Sequence, residues 1–224
     1  MNFWPAYPDR RAAGRALAER LQRYRDLHNV VVLGLPRGGV PVAYEVARAL
    51  RAPLDAFTVR KLGVPGHEEL AMGAVASGGI VVVDHELVHR LHVSRQQFDT
   101  IVNAEEAELT RREAAYRDHR PLPEFRNKTL IVVDDGLATG ASMKAAVEAL
   151  RRRNPAAIVV AVPVGDSDTC AQVTCVADDV VCLLKPPIFH AVGLHYGNFR
   201  QTTDDEVRTL LNAAAEERKA WRVA

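Results

Sequence analysis

The stretch LIVVDDGLATGASM, from Leu130 to Met143, places two adjacent acids directly after four apolar residues. Neighbouring carboxylates repel each other and lose hydration when buried, so a fold without a use for them rarely keeps both at a strand end. Glycine, alanine, threonine and serine follow, and these small residues leave the backbone accessible. The stretch therefore predicts a buried strand, a ligand-binding turn and the start of a helix.

The rest of the chain repeats this alternation of apolar runs and amphipathic segments. Each predicted strand is apolar throughout, which is typical of a parallel sheet covered on both faces by helices. The predicted strands are Val30–Gly34, Asp55–Lys61, Gly79–Val83, Thr129–Asp135, Ala156–Val164 and Asp178–Leu184. We therefore expect an α/β fold with an open, mostly parallel twisted sheet.

Helices are predicted near residues 10–26, after Pro41, over Ser94–His119 with Ser94 as N-cap, after Gly140, and after a cap at Thr202 or Thr203. The connection from Leu62 to Lys128 has the least regular pattern. We expect a mobile lid there.

Composition narrows the class of protein. Of 224 residues, 48% are hydrophobic and 25% are charged, as is ordinary for a globular domain. The net charge of +1 gives no general attraction to nucleic acid, and no segment resembles a signal peptide or a membrane span. The three cysteines, Cys170, Cys175 and Cys182, form no metal-binding pattern and suit a reducing compartment. We expect a cytoplasmic protein with neither a nucleic-acid nor a membrane partner.

The turn after the two acids suits a sugar phosphate. Its backbone amides and the following helix N-terminus can form an anion site, to which Thr139 and Ser142 add hydroxyl donors. The carboxylates of Asp134 and Asp135 accept hydrogen bonds, so they suit a vicinal diol and not a second phosphate. Phosphate and diol together describe a ribose 5-phosphate. A structural turn capped by Asp135 is the alternative, but it does not explain the second acid.

A second glycine-rich turn, LPRGG (Leu35–Gly39), follows the first predicted strand. It is not a Walker A loop, because Val40 and Pro41 stand where lysine and serine or threonine are required. Gly38 and Gly39 let the backbone approach an anion, and Arg37 offers a fork of donors for phosphate oxygens. Arg60 and Lys61 add positive charge at the same sheet edge, although both also fit solvated strand-end residues.

VVDDGLATGASM resembles the phosphoribosyl diphosphate (PRPP) signature of the type I phosphoribosyltransferases, and LPRGG resembles their diphosphate loop. The order of elements is similar from about residue 10 to 200. The resemblance implies a Rossmann-like α/β fold with a small hood and flap. It also implies one domain over residues 1–224, with the flap or insert at roughly 62–128 and the hood and acceptor segment at roughly 185–200.

The resemblance implies roles for individual residues. Asp134 and Asp135 would hold the ribose 2- and 3-hydroxyls, and with Arg37 they form the catalytic set. The 5-phosphate would lie among Ala138, Thr139, Gly140, Ala141 and Ser142. The diphosphate would lie at Pro36, Arg37, Gly38 and Gly39, together with Arg60 and Lys61. The family's non-proline cis peptide would be the Pro36–Arg37 bond. Mg²⁺ is the implied cofactor, held mainly by PRPP and also by Asp134 and Asp135.

The flap implied by the resemblance lies within Gly63–Gly79 and contains His67, Glu68 and Glu69, which equally fit a solvated charged loop. The segment KPPIFHAVGLHYGNF (Lys185–Phe199) resembles the base-binding segment of purine-salvage members. Lys185, Phe189 and Tyr196 are acceptor-pocket candidates, with His190 and His195 beside them. Gly197 or Asn198 stands where those enzymes have an acid, so the identity of the base stays open.

Two functions remain open. The resemblance implies a Mg²⁺-dependent enzyme that moves phosphoribosyl from PRPP to a nitrogenous base, with a purine-like base as one candidate, or to another nucleophile. The alternative is a regulator that senses PRPP without turning it over. Such a regulator usually carries an added nucleic-acid module or a basic face, and neither stands out in this sequence, so we prefer the enzyme. The family's frequent dimers also imply a homodimer, formed through the helix near 94–119 or the N-terminal helix.

Overall fold

A computed structural model of the protein describes residues 5–117 and 122–223, apart from the side chains at positions 69, 222 and 223. The helices in these residues are α1 (Arg10–Arg20), α2 (Gly39–Leu50), α3 (His85–Arg90), α4 (Arg95–Arg117), α5 (Ala141–Arg151), α6 (Ser167–Thr174) and α7 (Asp204–Val223). The strands are β1 (Val30–Gly34), β2 (Leu54–Ala56), β3 (Val59–Val64), β4 (His67–Ala76), β5 (Ile80–Val83), β6 (Thr129–Val133), β7 (Ala157–Val164) and β8 (Asp179–Leu184).

A five-stranded parallel sheet in the order β2–β1–β6–β7–β8 forms the centre of the molecule. Every residue of β1 is buried, because its side chains meet helices on both faces. One face packs on α5 and α6 through Val132, Val160 and Met143. The other packs on α1 and α2 through Val32, Ile131 and Leu17. The predicted open parallel sheet with helices on both faces is confirmed.

A second sheet, antiparallel and in the order β3–β4–β5, was not predicted. The prediction of a single strand over Asp55–Lys61 is wrong, because the chain forms β2 in the parallel sheet and then β3 in the second sheet. The strand predicted over Gly79–Val83 exists as β5, but it pairs only with β4 within the described residues. Leu62–Lys128 is therefore regular, although it was predicted to be the least regular part.

The second sheet has a small hydrophobic core of its own. Leu62 and Met72 pack against Leu87 of α3 and Leu109 of α4, and all four are buried. The face of the sheet toward the centre of the molecule packs against α5. Since α5 begins near the end of the LIVVDDGLATGASM stretch, the second sheet lies beside the predicted phosphate turn.

Helix ends follow their sequence signals, with small shifts. The helix predicted near residues 10–26 ends at Arg20, and a 3₁₀ turn follows at Gln22–Tyr24. Ser94 caps α4, because its Oγ accepts from the Gln97 amide at 3.2 Å. Thr203, and not Thr202, caps α7 in the same way, at 3.1 Å from the Glu206 amide. The predicted end of the long helix at His119 lies outside the described residues.

Candidate functional site

The two predicted turns meet at the carboxyl end of the parallel sheet. Strands β1 and β6 are neighbours, with Gly34 in register with Val133, so both turns begin side by side. The Leu35 amide donates to the Val133 carbonyl at 2.9 Å, which extends this pairing into the turns. Ligands of open parallel sheets bind at this edge. The topology therefore brings together the two motifs that the sequence separates by about a hundred positions.

Gly38 and Gly39 are pressed against the two aspartates. A Cβ on Gly38 would overlap Oδ2 of Asp135, and one on Gly39 would lie 2.6 Å from the Val133 carbonyl oxygen. Gly38 has an ordinary helical backbone (φ −64°), so only the lack of space excludes a side chain there. Because of this close approach, a ligand bound by the two carboxylates would also lie next to the backbone of the Leu35–Gly39 turn.

Asp134 and Asp135 share a partly buried site but differ in their partners. Burial, reinforced by the neighbouring Asp135 carboxylate, raises the pKa of Asp134 well above its usual value. Burial also raises the pKa of Asp135, and the Arg10 guanidinium partly offsets this rise. Arg10 Nε donates to Asp135 Oδ2 at 2.8 Å, whereas Asp134 Oδ1 accepts from the Asp135 amide at 2.9 Å. Within the described residues Asp134 forms no ion pair, which leaves its carboxylate as an acceptor for a ligand.

The predicted phosphate turn leads into the N-terminus of α5. Gly140 adopts the left-handed conformation there (φ 70°), and Ala138, Thr139 and Ser142 are exposed around it. Ala141 is half-buried and is the first residue of the helix. A left-handed glycine before a helix turns successive amides toward one point and suits an anion.

The phosphate turn is braced from behind by the segment after β7. Leu137 forms a parallel bridge with Gly165, and the Leu137 amide donates to the Val164 carbonyl at 2.9 Å. The hydroxyl of Thr169, on α6, donates to the Ala138 carbonyl at 2.7 Å. Sequence reasoning missed Thr169, because nothing in a single sequence links it to a turn 31 positions earlier.

The predicted diphosphate turn has the cis peptide bond at Pro36–Arg37 that the family resemblance implied. The Arg37 side chain is half-exposed, with Nη1 3.9 Å from Oδ1 of Asp204 at the start of α7. Asp204 also accepts from the Tyr116 hydroxyl at 2.7 Å. Burial, more than the Asp204 contact, raises the pKa of Tyr116, so the phenol keeps its proton and donates. The 3.9 Å contact with Asp204 is long for an ion pair, so it holds Arg37 only weakly.

Arg60 and Lys61 lie on β3, in the second sheet and not on a strand of the parallel sheet. The Arg60 guanidinium is 2.6 Å from Glu105 of α4, and Lys61 is exposed. His67 and Glu68, predicted for the flap, begin β4 and are exposed, beyond a turn in which Gly66 is left-handed (φ 77°). The roles predicted for these residues stay predictions.

The predicted acceptor segment folds over the aspartate turn. Lys185 is exposed just after β8, as is His190, while Phe189 stacks on His195 with ring centroids 5.8 Å apart. Burial lowers the pKa of His195, which favours the neutral ring. Val192 packs so closely on Gly136 that an added Cβ would meet it at 2.5 Å.

Tyr196, another acceptor candidate, lies against the backbone of the aspartate turn. It is buried, and its hydroxyl donates to the main-chain carbonyl of Asp135 at 2.6 Å. Tyr7 packs on it, with ring centroids 5.7 Å apart. This position supports the aspartate backbone directly, whereas the predicted contact with an acceptor stays a prediction.

A cavity of about 610 Å³ lies next to the site, between α1, α2, the 198–203 segment and α7. Arg10 lines it, but the two aspartates and both predicted phosphate turns do not. A large cavity is a usual first guess for a ligand site. Here the chemistry of the residues that follow the strand ends identifies the candidate site better than cavity size does.

Within the described residues, no group of three or more His, Cys, Asp and Glu side chains is arranged to hold a metal ion. Across those same residues, no helix is both long and apolar enough to cross a membrane.

Comparison with known proteins agrees with this geometry. The sequence profile of the family described as "Phosphoribosyl transferase domain" matches residues 6–192. Two curated proteins of Mycobacterium tuberculosis, from strains CDC 1551 and H37Rv and provisionally named phosphoribosyl transferases, are each 46% identical over 208 residues. The match covers 93% of this chain and 47% of theirs, so the chain spans about half the length of these relatives.

A solved structure is also similar over nearly the whole chain. The crystal structure of TT1426 from Thermus thermophilus has 40% sequence identity and a TM-score of 0.82, and the match covers 92% of this chain and 97% of that one. With the profile match and the two strand-end turns, these similarities lead to one assignment. The chain belongs to the type I phosphoribosyltransferase family.

Proposed function

We propose that the protein transfers the 5-phosphoribosyl group of PRPP to a nitrogenous base and releases diphosphate. The observation that carries the proposal is the meeting of the two glycine-rich turns around Asp134 and Asp135 at the ends of β1 and β6. One turn suits a phosphate, the other suits a diphosphate, and the carboxylates between them suit the hydroxyls of the ribose that joins the two.

In this proposal, Asp134 and Asp135 hold the ribose 2- and 3-hydroxyls. Burial removes hydration from each carboxylate and raises its pKa, so hydroxyl donors on a ligand would stabilise the charged form. Hydrogen bonds to an ionised acceptor are stronger than those between neutral groups. Ribose binding therefore stabilises the charged form of the pair, which the free protein destabilises.

The phosphate groups are assigned to the two turns. The 5-phosphate lies at residues 138–142, where the α5 N-terminus and the hydroxyls of Thr139 and Ser142 supply donors. The diphosphate lies at residues 36–39, where the Arg37 guanidinium is free to leave its 3.9 Å contact with Asp204. Arg60 and Lys61, on β3, are proposed to add positive charge near the diphosphate.

The reaction then follows from the charges. As the bond to diphosphate breaks, the anomeric carbon gains oxocarbenium character and negative charge grows on the leaving group. Arg37 and the backbone amides of its turn stabilise that negative charge. The carboxylates of Asp134 and Asp135 stabilise the positive sugar through its hydroxyls. Closure of a flap within Gly63–Gly79, which contains His67 and Glu68, would exclude water from this intermediate.

The residues present fit the implied Mg²⁺ cofactor. Mg²⁺ prefers oxygen ligands and is often bound through substrate phosphates with one or two carboxylates. Asp134 and Asp135 are the side chains that would hold it, and Asp134 forms no ion pair within the described residues. When bound, Mg²⁺ would neutralise charge on the diphosphate.

The acceptor is proposed to be a base that binds beneath the 185–196 segment, with a purine-like ring as the first candidate. Lys185 and Phe189 are its proposed contacts. Lys185 is exposed and offers a donor, and Phe189 offers a ring whose other face is stacked on His195. A homodimer is proposed from the family alone.

The test is calorimetric titration with PRPP, with and without Mg²⁺, followed by a diphosphate-release screen over purines, pyrimidines and related bases. We expect metal-dependent PRPP binding and release with one class of base. Binding without release for any base would favour a PRPP-sensing regulator instead. Absence of PRPP binding would refute both functions.

A further inference from the structure

Arg10 is a tightly constrained cation beside the aspartates. Its side chain is only 11% exposed, and it makes three kinds of contact at once. Nε donates to Asp135 Oδ2 at 2.8 Å, Nη1 donates to the Arg200 carbonyl at 2.8 Å, and the guanidinium lies 3.9 Å from the centre of the Phe199 ring. A guanidinium held on three sides has little freedom, so it fixes the orientation of the carboxylate that it contacts.

The carboxylate of Asp135 is confined between Arg10 and the diphosphate turn. A Cβ on Gly38 would overlap Asp135 Oδ2 and would lie 3.2 Å from Arg10 Nε. The main chain of Asp135 is held separately, by the Tyr196 hydroxyl at 2.6 Å from its carbonyl. Side chain and main chain are thus fixed by different residues, and Arg10 is the one that holds the carboxylate.

This arrangement differs from an ordinary stabilising ion pair. Arg11, the next residue, also pairs with a buried acid, since its Nε is 3.1 Å from Glu45, and it also lies over an aromatic ring, Tyr44, at 5.1 Å. The Arg11 side chain is 50% exposed, and Glu45 belongs to α2 and not to either turn. Arg10 and Arg11 therefore both pair with an acid and both lie over an aromatic ring, but Arg10 also donates to a main-chain carbonyl, and its acid is Asp135, which is proposed to bind the ribose.

We propose that Arg10 is a positioning residue for ribose recognition. It holds one carboxylate oxygen of Asp135, so that the other oxygen faces the ribose hydroxyl. Its contacts with Arg200 and Phe199 couple this orientation to the end of the predicted acceptor segment. The inference rests on the proposed function, because it assumes that Asp135 accepts from a ribose hydroxyl. It adds a residue from the first helix, distant in sequence from both turns.

The test compares the wild type with Arg10→Ala, Arg10→Lys and Arg11→Ala. Affinity is measured for PRPP with Mg²⁺, for ribose 5-phosphate and for 2-deoxyribose 5-phosphate, and folding is followed by thermal melting. We expect Arg10→Ala to weaken PRPP binding by about tenfold or more, because it frees the Asp135 side chain and leaves its charge uncompensated. The preference for ribose over deoxyribose should fall with it. Arg11→Ala should stay within about twofold of the wild type in both measurements.

Arg10→Lys keeps the charge but cannot donate to Asp135 and Arg200 in a fixed fork, so it should recover only part of the lost preference. It also serves as the test if Arg10→Ala does not fold. An unchanged preference in both Arg10 variants, or equal losses in Arg10→Ala and Arg11→Ala, would overturn the inference while leaving the proposed function intact. Failure of the wild type to bind PRPP would overturn both.

Discussion

The chain contains two pairs of adjacent aspartates at strand ends, and they behave in opposite ways. Asp134 and Asp135 follow the carboxyl end of β6, whereas Asp178 and Asp179 lie at the amino end of β8 in the same sheet. Asp178 is 2.7 Å from Arg151 and accepts from the Ile158 amide at 2.6 Å, and Asp179 pairs with Arg23. The hydrogen bond from Arg151 lowers the pKa of Asp178, while burial raises the pKa of Asp134.

Two adjacent aspartates therefore do not define a site by themselves. At the amino end of β8, protein groups satisfy both carboxylates, and the pair connects the sheet edge to α5 and to the 3₁₀ turn after α1. At the carboxyl end of β6, one carboxylate has a single arginine and the other forms no ion pair within the described residues. Carboxylates left without full compensation are those that gain most from a ligand.

The largest expected effect is on PRPP affinity, when the first pair is neutralised and the second pair serves as the control. Asp134→Asn with Asp135→Asn should weaken PRPP binding by at least about a hundredfold, because two charged acceptors are lost. Asp178→Asn with Asp179→Asn should leave PRPP affinity within about twofold, although stability falls. Calorimetric titration of both double variants measures the contrast, with circular dichroism as the check on folding. Equal affinity in the two variants would remove the distinction between the pairs.

A methyl group at Gly38 tests the crowding around the first pair. Gly38→Ala should weaken PRPP binding by roughly tenfold to a hundredfold, because its Cβ would displace Asp135 or shift the turn. Gly79→Ala is the control, since beyond its chain neighbours no heavy atom of the described residues lies within 4 Å of its Cβ position, and only its left-handed backbone is strained. Wild-type PRPP affinity in Gly38→Ala would mean that the two turns do not act as one site.

Removing Arg37 tests which turn holds which anion. Arg37→Ala should weaken diphosphate binding by about tenfold, because a charged donor is lost, and should change ribose 5-phosphate binding by less than about twofold. Arg23→Ala, which removes the partner of Asp179, should change neither affinity. Equal losses for the two ligands in Arg37→Ala would place Arg37 at the ribose or at the 5-phosphate instead.

The smallest effects are on stability, and they should have opposite pH dependences. The raised pKa of Asp134 means that the folded state binds its proton more tightly, so this contribution to stability is present at low pH and is lost as pH rises. The lowered pKa of Asp178 gives stability above the unfolded-state pKa that is lost as pH falls.

Urea unfolding at three pH values, about 4, 6 and 8, without metal checks both signs. Asp134→Asn should be more stable than the wild type at the highest pH, with the gap closing toward the lowest. Asp178→Asn should be less stable at the highest pH by under about 1 kcal/mol, since the Arg151 pair is half-exposed. If the stability change relative to the wild type varied with pH in the same way for both variants, the two aspartate pairs would not differ as described.

Much of the architecture can be predicted from the sequence, for a physical reason. Val30–Gly34 and Thr129–Val133 are buried on both faces, so their apolar runs identify them. By contrast, β4 (HEELAMGAVA) has few β-branched residues and begins with three charged or titratable ones, so its strand character depends on pairing with β3. That is why the sequence predicts an irregular connection where the second sheet lies.

The candidate site divides in the same way. Asp134, Asp135, Gly38 and Gly39 belong to short motifs whose chemistry is local, and the sequence identifies them. Arg10 meets Asp135 across 125 positions, and Tyr196 reaches it across 61. Such contacts exist only after the sheet has formed, so no local pattern in one sequence can reveal them.

The pairing of β1 with β6 also bears on how the protein folds. It joins Val32 to Ile131, and the whole second sheet, α3 and α4 lie in the segment between them. Closing so long a loop costs chain entropy before the paired strands return any stability, whereas the β3–β4 hairpin joins near neighbours. We therefore expect the antiparallel sheet to form early and the two turns to come together late. In a partly folded chain the two turns would then still be apart, so the chain would contain both motifs but would not yet form the binding site.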